Sequence, residues 1–136
     1  MRVFLDTNVI VSAFTTRGLC ADLFREILAV HTFVISEYVL TEIKEVLTRR
    51  FKVPEATVIE IIALLEKQEM ALLPAELPQI VIRDLDDLPV LAAAIESKSD
   101  YLVSGDQDMT SLAPLKQIKS VMPREFWGVI SKIRPI

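Results

Sequence analysis

Five acids, Asp6, Glu42, Asp87, Asp106 and Asp108, sit in this chain where carboxylates are hard to explain by solvation alone. Asp6 ends the apolar run Val3-Phe4-Leu5, and Asp106 follows Tyr101-Leu102-Val103-Ser104-Gly105. Asp87 heads an Ala-rich stretch, and Asp108 follows Asp106 with one residue between. Carboxylates that converge repel one another unless a cation sits between them. Oxygen ligands without histidine or cysteine select Mg²⁺ or Mn²⁺. The other chemistries lack parts. The only histidine, His31, cannot make a histidine-based site, and the only cysteine, Cys20, has no base partner in sequence. Three glycines leave no phosphate-cradling loop, and there is no serine elbow. What remains is a carboxylate-held divalent centre, whose commonest task is activating water for in-line attack on phosphorus.

The surrounding elements must bring these acids together. Val3 to Leu5 reads as a strand buried on both faces, so Asp6 falls at the carboxyl edge where open α/β sheets keep their ligands. A short helix follows over Val9 to Phe14, and a second runs from Leu19 to about Val30. Thr32 to Ser36 is a β-branched, aromatic strand, and Ser36 can cap a helix from Glu37 to about Phe51. Pro54 opens an unusually apolar helix over roughly Glu55–Glu69, read as buried or partnered. Gln79 to Ile82 is expected as a third strand, Tyr101 to Ser104 as a fourth and Ile118 to Met122 as a fifth. A last helix begins at Pro123. Strands alternating with helices predict an α/β fold with a parallel sheet, in a single domain spanning 1–136.

Two of these acids have a plain structural reading beside the chemical one. Asp6 and Asp87 each precede a helix, where aspartate is a good N-cap. Asp84 and Asp86 read as a capping, solvated turn. On the helix starting at Glu37, about 100° per residue puts Glu42 roughly 60° from Val39 and 40° from Val46, on the rim of the apolar stripe. Glu45 points away. Glu37 lies on the other rim, so periodicity leaves Glu37 and Glu42 both open.

The totals set the class. Hydrophobic residues make up 51% of the 136 and the mean hydropathy is +0.40, which predicts exposed apolar surface and a dimer or partner interface, with the helices around 20–30 and 55–69 as candidates. No apolar run approaches the roughly 18 residues a membrane span needs, and an acid at position 6 does not suit a signal peptide. A lone cysteine fits a cytoplasmic protein without an internal disulfide. A net charge of −4 repels nucleic acid on average, but residues 116–136 carry five cations against Glu125 alone.

Taken in order, Leu5-Asp6-Thr7-Asn8, Glu42-x-x-Glu45-Val46-Leu47, Asp84-x-Asp86-Asp87-x-Pro89-Val90-Leu91-Ala92-Ala93-Ala94 and Asp100-Tyr101-Leu102-Val103-Ser104-Gly105-Asp106-x-Asp108 resemble the PIN domain nucleases. The similarity is closest to the branch of PIN-family toxins related to VapC-like toxins of toxin–antitoxin systems, and it covers residue 2 to about 122. The resemblance implies a three-layer α/β/α sandwich around a parallel sheet of about five strands, and an Mg²⁺- or Mn²⁺-dependent endoribonuclease leaving 5′-phosphate and 3′-hydroxyl ends. By position it implies Asp6, Glu42, Asp87 and Asp106 as the acidic site, Asp108 as a helper, and Thr7, Asn8 and Ser104 as supports for the metal shell or the phosphate. Asp87, thirteen residues before Asp100, fits the family's spacing better than Asp86. Arg49, Arg50 and Lys52 are candidates to hold flanking phosphates, RNA is the implied substrate and an antitoxin the implied partner. The alternative is a PIN-like module that binds RNA or protein without hydrolysis. A receiver-like regulatory domain also gathers acids at strand ends, but no lysine and phosphorylatable aspartate stand where it needs them.

Overall fold

The computed structural model describes residues 1–72, 85–110 and 118–133. In chain order these form β1 (Arg2–Leu5), α1 (Thr7–Thr15), α2 (Leu19–Val30), β2 (Thr32–Ser36), α3 (Glu37–Arg49), α4 (Glu55–Glu66) and β3 (Glu69–Ala71). A 3₁₀ turn (Leu85–Asp87) then leads into α5 (Leu88–Glu96), β4 (Tyr101–Val103), α6 (Gln107–Thr110), β5 (Lys119–Val121) and α7 (Pro123–Ile133). The sheet has the order β3-β2-β1-β4-β5 with every pair parallel, the centre of a three-layer α/β/α sandwich. The five-strand parallel expectation holds.

β1 is the middle strand because its residues can be dry on both faces: Val3, Phe4 and Leu5 are all fully buried. The chain first winds outward from β1 through β2 to β3, then returns to lay β4 against the other side of β1. That reversal puts the ends of β1 and β4 side by side, with Leu5 paired to Val103. A parallel sheet opens a crevice beyond the strand ends at such a switch point.

Two sequence expectations change. The third strand is Glu69–Ala71, whose first residue the sequence reading placed at the end of a helix; α4 stops at Glu66 instead. Glu, Met and Ala favour helix, and it is the parallel pairing of Val34, Ile35 and Ser36 with these three residues that overrides propensity. The expected strand Gln79 to Ile82 lies outside the described residues. In α4 only Val58 and Leu65 are buried, while Ile59 is 60% exposed, so this apolar helix is not a core helix. The remaining expected elements are present within a few residues, and Ser36 caps α3 by accepting from the Val39 N–H at 3.3 Å. No helix among the described residues is long and apolar enough to cross a membrane.

Candidate active site

The site begins where β1 and β4 stop. The Asp6 N–H donates to the Val103 carbonyl at 2.9 Å, extending the ladder by one residue, and the Ser104 N–H does the same to Val121 at 3.0 Å. Asp6 and Ser104 are thereby locked beside each other at the carboxyl edge. Ser104 is fully buried and bridges two acids: its hydroxyl donates to Asp6 Oδ2 at 2.8 Å, and its Oγ accepts the Asp106 N–H at 3.0 Å. Asp106 in turn starts α6, accepting the Asp108 N–H on Oδ1 at 2.9 Å.

Asp6 is also the N-cap of α1, with its Oδ1 accepting the Thr7 N–H at 2.8 Å. The capping and chemical readings are therefore compatible, because the second oxygen faces Ser104. Burial holds the Asp6 carboxyl above the usual carboxylate range. Hydrogen bonds from Ser104 and Thr7 pull it back, and the negative charge of Asp106 nearby pushes it further up. An ionised Asp6 is thus costly in the bare protein, and a cation would relieve it.

Thr7, itself buried, hands the network to the next helix: its hydroxyl donates to Glu42 Oε1 at 2.7 Å. That contact separates two residues periodicity could not. Glu42 is half-buried and tied to the residue after Asp6, whereas Glu37 is exposed. Glu45 is exposed and pairs with Arg49 one turn on, at 3.0 Å. Asp87 heads α5 as expected, but its side chain makes no cap bond, and its Oδ2 is shut off from solvent. Asn8 is exposed at the head of α1, beside the network rather than in it. His31 closes α2 at the other edge, and Cys20 is half-buried without a base nearby in any described contact. Asp84 and the Asp86 side chain lie outside the described residues.

The structure therefore joins Asp6, Ser104, Asp106 and Asp108 into one chain of hydrogen bonds and Asp6, Thr7 and Glu42 into another. Among the described residues no three acid, histidine or cysteine side chains stand close enough to grip one ion in this arrangement. Sequence reasoning placed the acids but not the bonding order, in which two hydroxyls, Thr7 and Ser104, carry the connections.

Comparison with known proteins decides the family. The model of the PIN domain matches residues 2–108. The chain belongs to the PIN domain family. A search of curated proteins finds no match. Among solved structures, this PIN domain superposes on VapBC2 from Rickettsia felis, bound to a DNA fragment from the promoter, with a TM-score of 0.65 and 17% identity, over 90% of this chain and 98% of that one. It superposes on VapC20 of Mycobacterium tuberculosis, a toxin that cleaves the sarcin–ricin loop, with a TM-score of 0.60 and 16% identity, over 86% and 98% of the two chains. At such identities the likeness is one of fold.

Proposed function

We propose that this PIN domain is a divalent-metal-dependent endoribonuclease and the toxin of a toxin–antitoxin pair, with Asp6, Glu42, Asp87 and Asp106 as its acidic site and Asp108 as helper. One observation carries the reading: a buried carboxylate, Asp6, is held ionisable by Ser104 and Thr7 at the switch point of the sheet, beside a second aspartate. A purely structural cap has no need of a second acid at its back. The toxin assignment leans on the family and on the fold shared with VapBC2 and VapC20. A VapB-like protein is the partner it suggests, and the exposed apolar residues Val30, Ile59 and Leu64 offer surface for a second copy of the chain.

The donor set is all oxygen, which fits Mg²⁺ or Mn²⁺ in chemistry. Asp6 and Asp106 would hold the ion, with Asp87, Asp108 and Glu42 as the further carboxylates available and water completing the shell. A bound divalent ion supplies charge stabilisation at phosphorus and acidifies a water. The chain's own residues do the rest. Ser104 fixes the direction of the Asp6 carboxyl and holds the Asp106 backbone N–H, and the Thr7 hydroxyl directs the Glu42 carboxyl. Burial of Asp6 strengthens the charge interactions that its own carboxyl makes.

The test is cleavage of a mixed, end-labelled RNA panel in Mg²⁺, Mn²⁺ or chelator, beside a melting series. Cleavage with either ion and none in chelator is expected. Mn²⁺ at a hundred times its Kd should raise the melting temperature by roughly 10 °C. No shift and no cleavage would leave a PIN domain that binds without hydrolysis. Thr7→Val, nearly isosteric, removes only the donor to Glu42 and is expected to lower cleavage by about tenfold, as loss of an orienting partner does, with Thr7→Ser restoring it.

A further inference from the structure

We propose that the groove between α1 and α3 carries a single RNA strand away from the carboxylates, and that an unpaired base stacks on the Arg50–Phe51 pair at its far end. This rests on the ribonuclease reading only in naming RNA as the strand. α1 and α3 follow neighbouring parallel strands and run in the same sense, and the Thr7–Glu42 bond ties the head of α1 to the middle of α3. Eight residues further along each helix stand Thr15 and Arg50, about 12 Å away at 1.5 Å per residue. Between them lies a cavity of about 350 Å³, lined by residues that include Asn8 beside the acids and Arg50 and Phe51 at the other end.

Charge selects the occupant. Among the described residues Arg50 is the one charged group lining this groove, so a chain of net charge −4 provides here a track whose described lining holds no acid. The α1 wall is made of small neutral groups: Thr15 and Thr16 donate their hydroxyls to carbonyls one turn back. The cavity along the first half of α3 is the opposite, lined by Glu37, Glu42 and Glu45, and would repel phosphate.

The far end is built as a stacking platform. Phe51 is a large apolar ring left 42% exposed, and the Arg50 guanidinium lies over it, 5.5 Å from the centroid. Lys52, in the left-handed region with φ 50°, turns the chain there, and the Val53 N–H returns to the Leu47 carbonyl at 3.0 Å, so the ring is presented from a closed turn. Arg49 is engaged with Glu45, which leaves Arg50 as the cation on the ring. An exposed aromatic with an arginine on its face suits bases of any sequence, because every base has a π face.

The assay is fluorescence anisotropy of a labelled single-stranded RNA 12-mer with Asp6→Asn protein in EDTA, so that neither metal nor hydrolysis enters. On that background Phe51→Ala is expected to weaken binding about tenfold, Phe51→Trp to preserve it, and Arg50→Ala to weaken it and reduce the salt slope by about one. Arg25→Ala on α2, outside the groove, should change nothing, and melting temperatures show that each variant is folded. A duplex of the same sequence should be indifferent to Phe51→Ala. Unchanged single-strand binding in folded Phe51→Ala, an effect of Arg50→Ala alone, or no RNA binding at all would each overturn the proposal. Because nothing is cleaved here, failure of wild-type cleavage would sink the nuclease reading while leaving this result standing, and cleavage with an indifferent Phe51→Ala would do the reverse.

Discussion

Asp6→Asn is expected to abolish RNA cleavage while leaving the fold as stable as before or more so. The loss follows from removing the central charge of the site: several kcal/mol of charge stabilisation corresponds to a fall of about a thousandfold. The gain follows from burial. A carboxyl whose pKa in the folded protein is raised above its ordinary 3.8 contributes stability that is present below that value and lost as pH rises through the folded pKa. At neutral pH the wild type without metal carries that penalty and the asparagine variant does not. Against it stands one lost hydrogen bond. The asparagine oxygen can still accept the Thr7 N–H, but its amide meets Ser104 Oγ, which already accepts from Asp106 and must give up its acceptor in Asp6. Desolvation is the largest influence on Asp6, so the balance is placed on the stabilising side. Calorimetry in chelator at successively lower pH tests both signs: the variant should melt at or above the wild type at pH 7, with the difference shrinking as the wild-type carboxyl takes up its proton. Added Mn²⁺ should invert the order by stabilising the wild type alone. A variant that melts far lower at pH 7 would mean that Asp6 is chiefly a cap.

Much of this arrangement was readable in the chain because it rests on local rules. An apolar triplet ending in Asp6 and another ending before Ser104 define two buried strands, and parallel pairing of buried strands puts their ends on one edge. Ser36 as the cap of α3 and Pro123 as the start of α7 are equally local. What escaped depends on partners remote in sequence. β3 is a strand because β2 offers it a ladder, not because Glu69-Met70-Ala71 prefers extension. Glu37 and Glu42 flank the apolar stripe of α3 on opposite rims, and the Thr7 hydroxyl, 35 residues away, is what ties Glu42 to the network. α6 is four residues long and gives no period to detect; it exists because Asp106 accepts from the backbone of Asp108, Met109 and Thr110. In Arg49-Arg50-Phe51-Lys52 the cations are legible as phosphate contacts, but the aromatic set among them, Phe51, reads only as the end of a helix.

Ser104→Ala should be the most damaging change that removes no charge. The residue is fully buried and its single oxygen serves two carboxylate residues, as donor to Asp6 and as acceptor for the Asp106 N–H. Alanine fits the space but leaves Asp6 Oδ2 without its donor and the Asp106 amide without its acceptor, at a cost of about 1–3 kcal/mol. It also loosens the mutual orientation of the two acids, and loss of an orienting partner costs about 10- to 100-fold in metal affinity or activity. A plain packing defect would lower stability alone, so the control is Ser99→Ala. Ser99 is almost as buried and its hydroxyl is bonded to Ser97 at 2.7 Å, but it precedes β4 at the opposite edge of the sheet. Both variants should unfold at lower urea, whereas the Mn²⁺ concentration needed for half-maximal thermal stabilisation should rise only in Ser104→Ala. Equal Mn²⁺ responses in the two would show that Ser104 supports the sheet rather than the carboxylates, and the role of the strand β4 terminus in the site would have to pass to Asp106 alone.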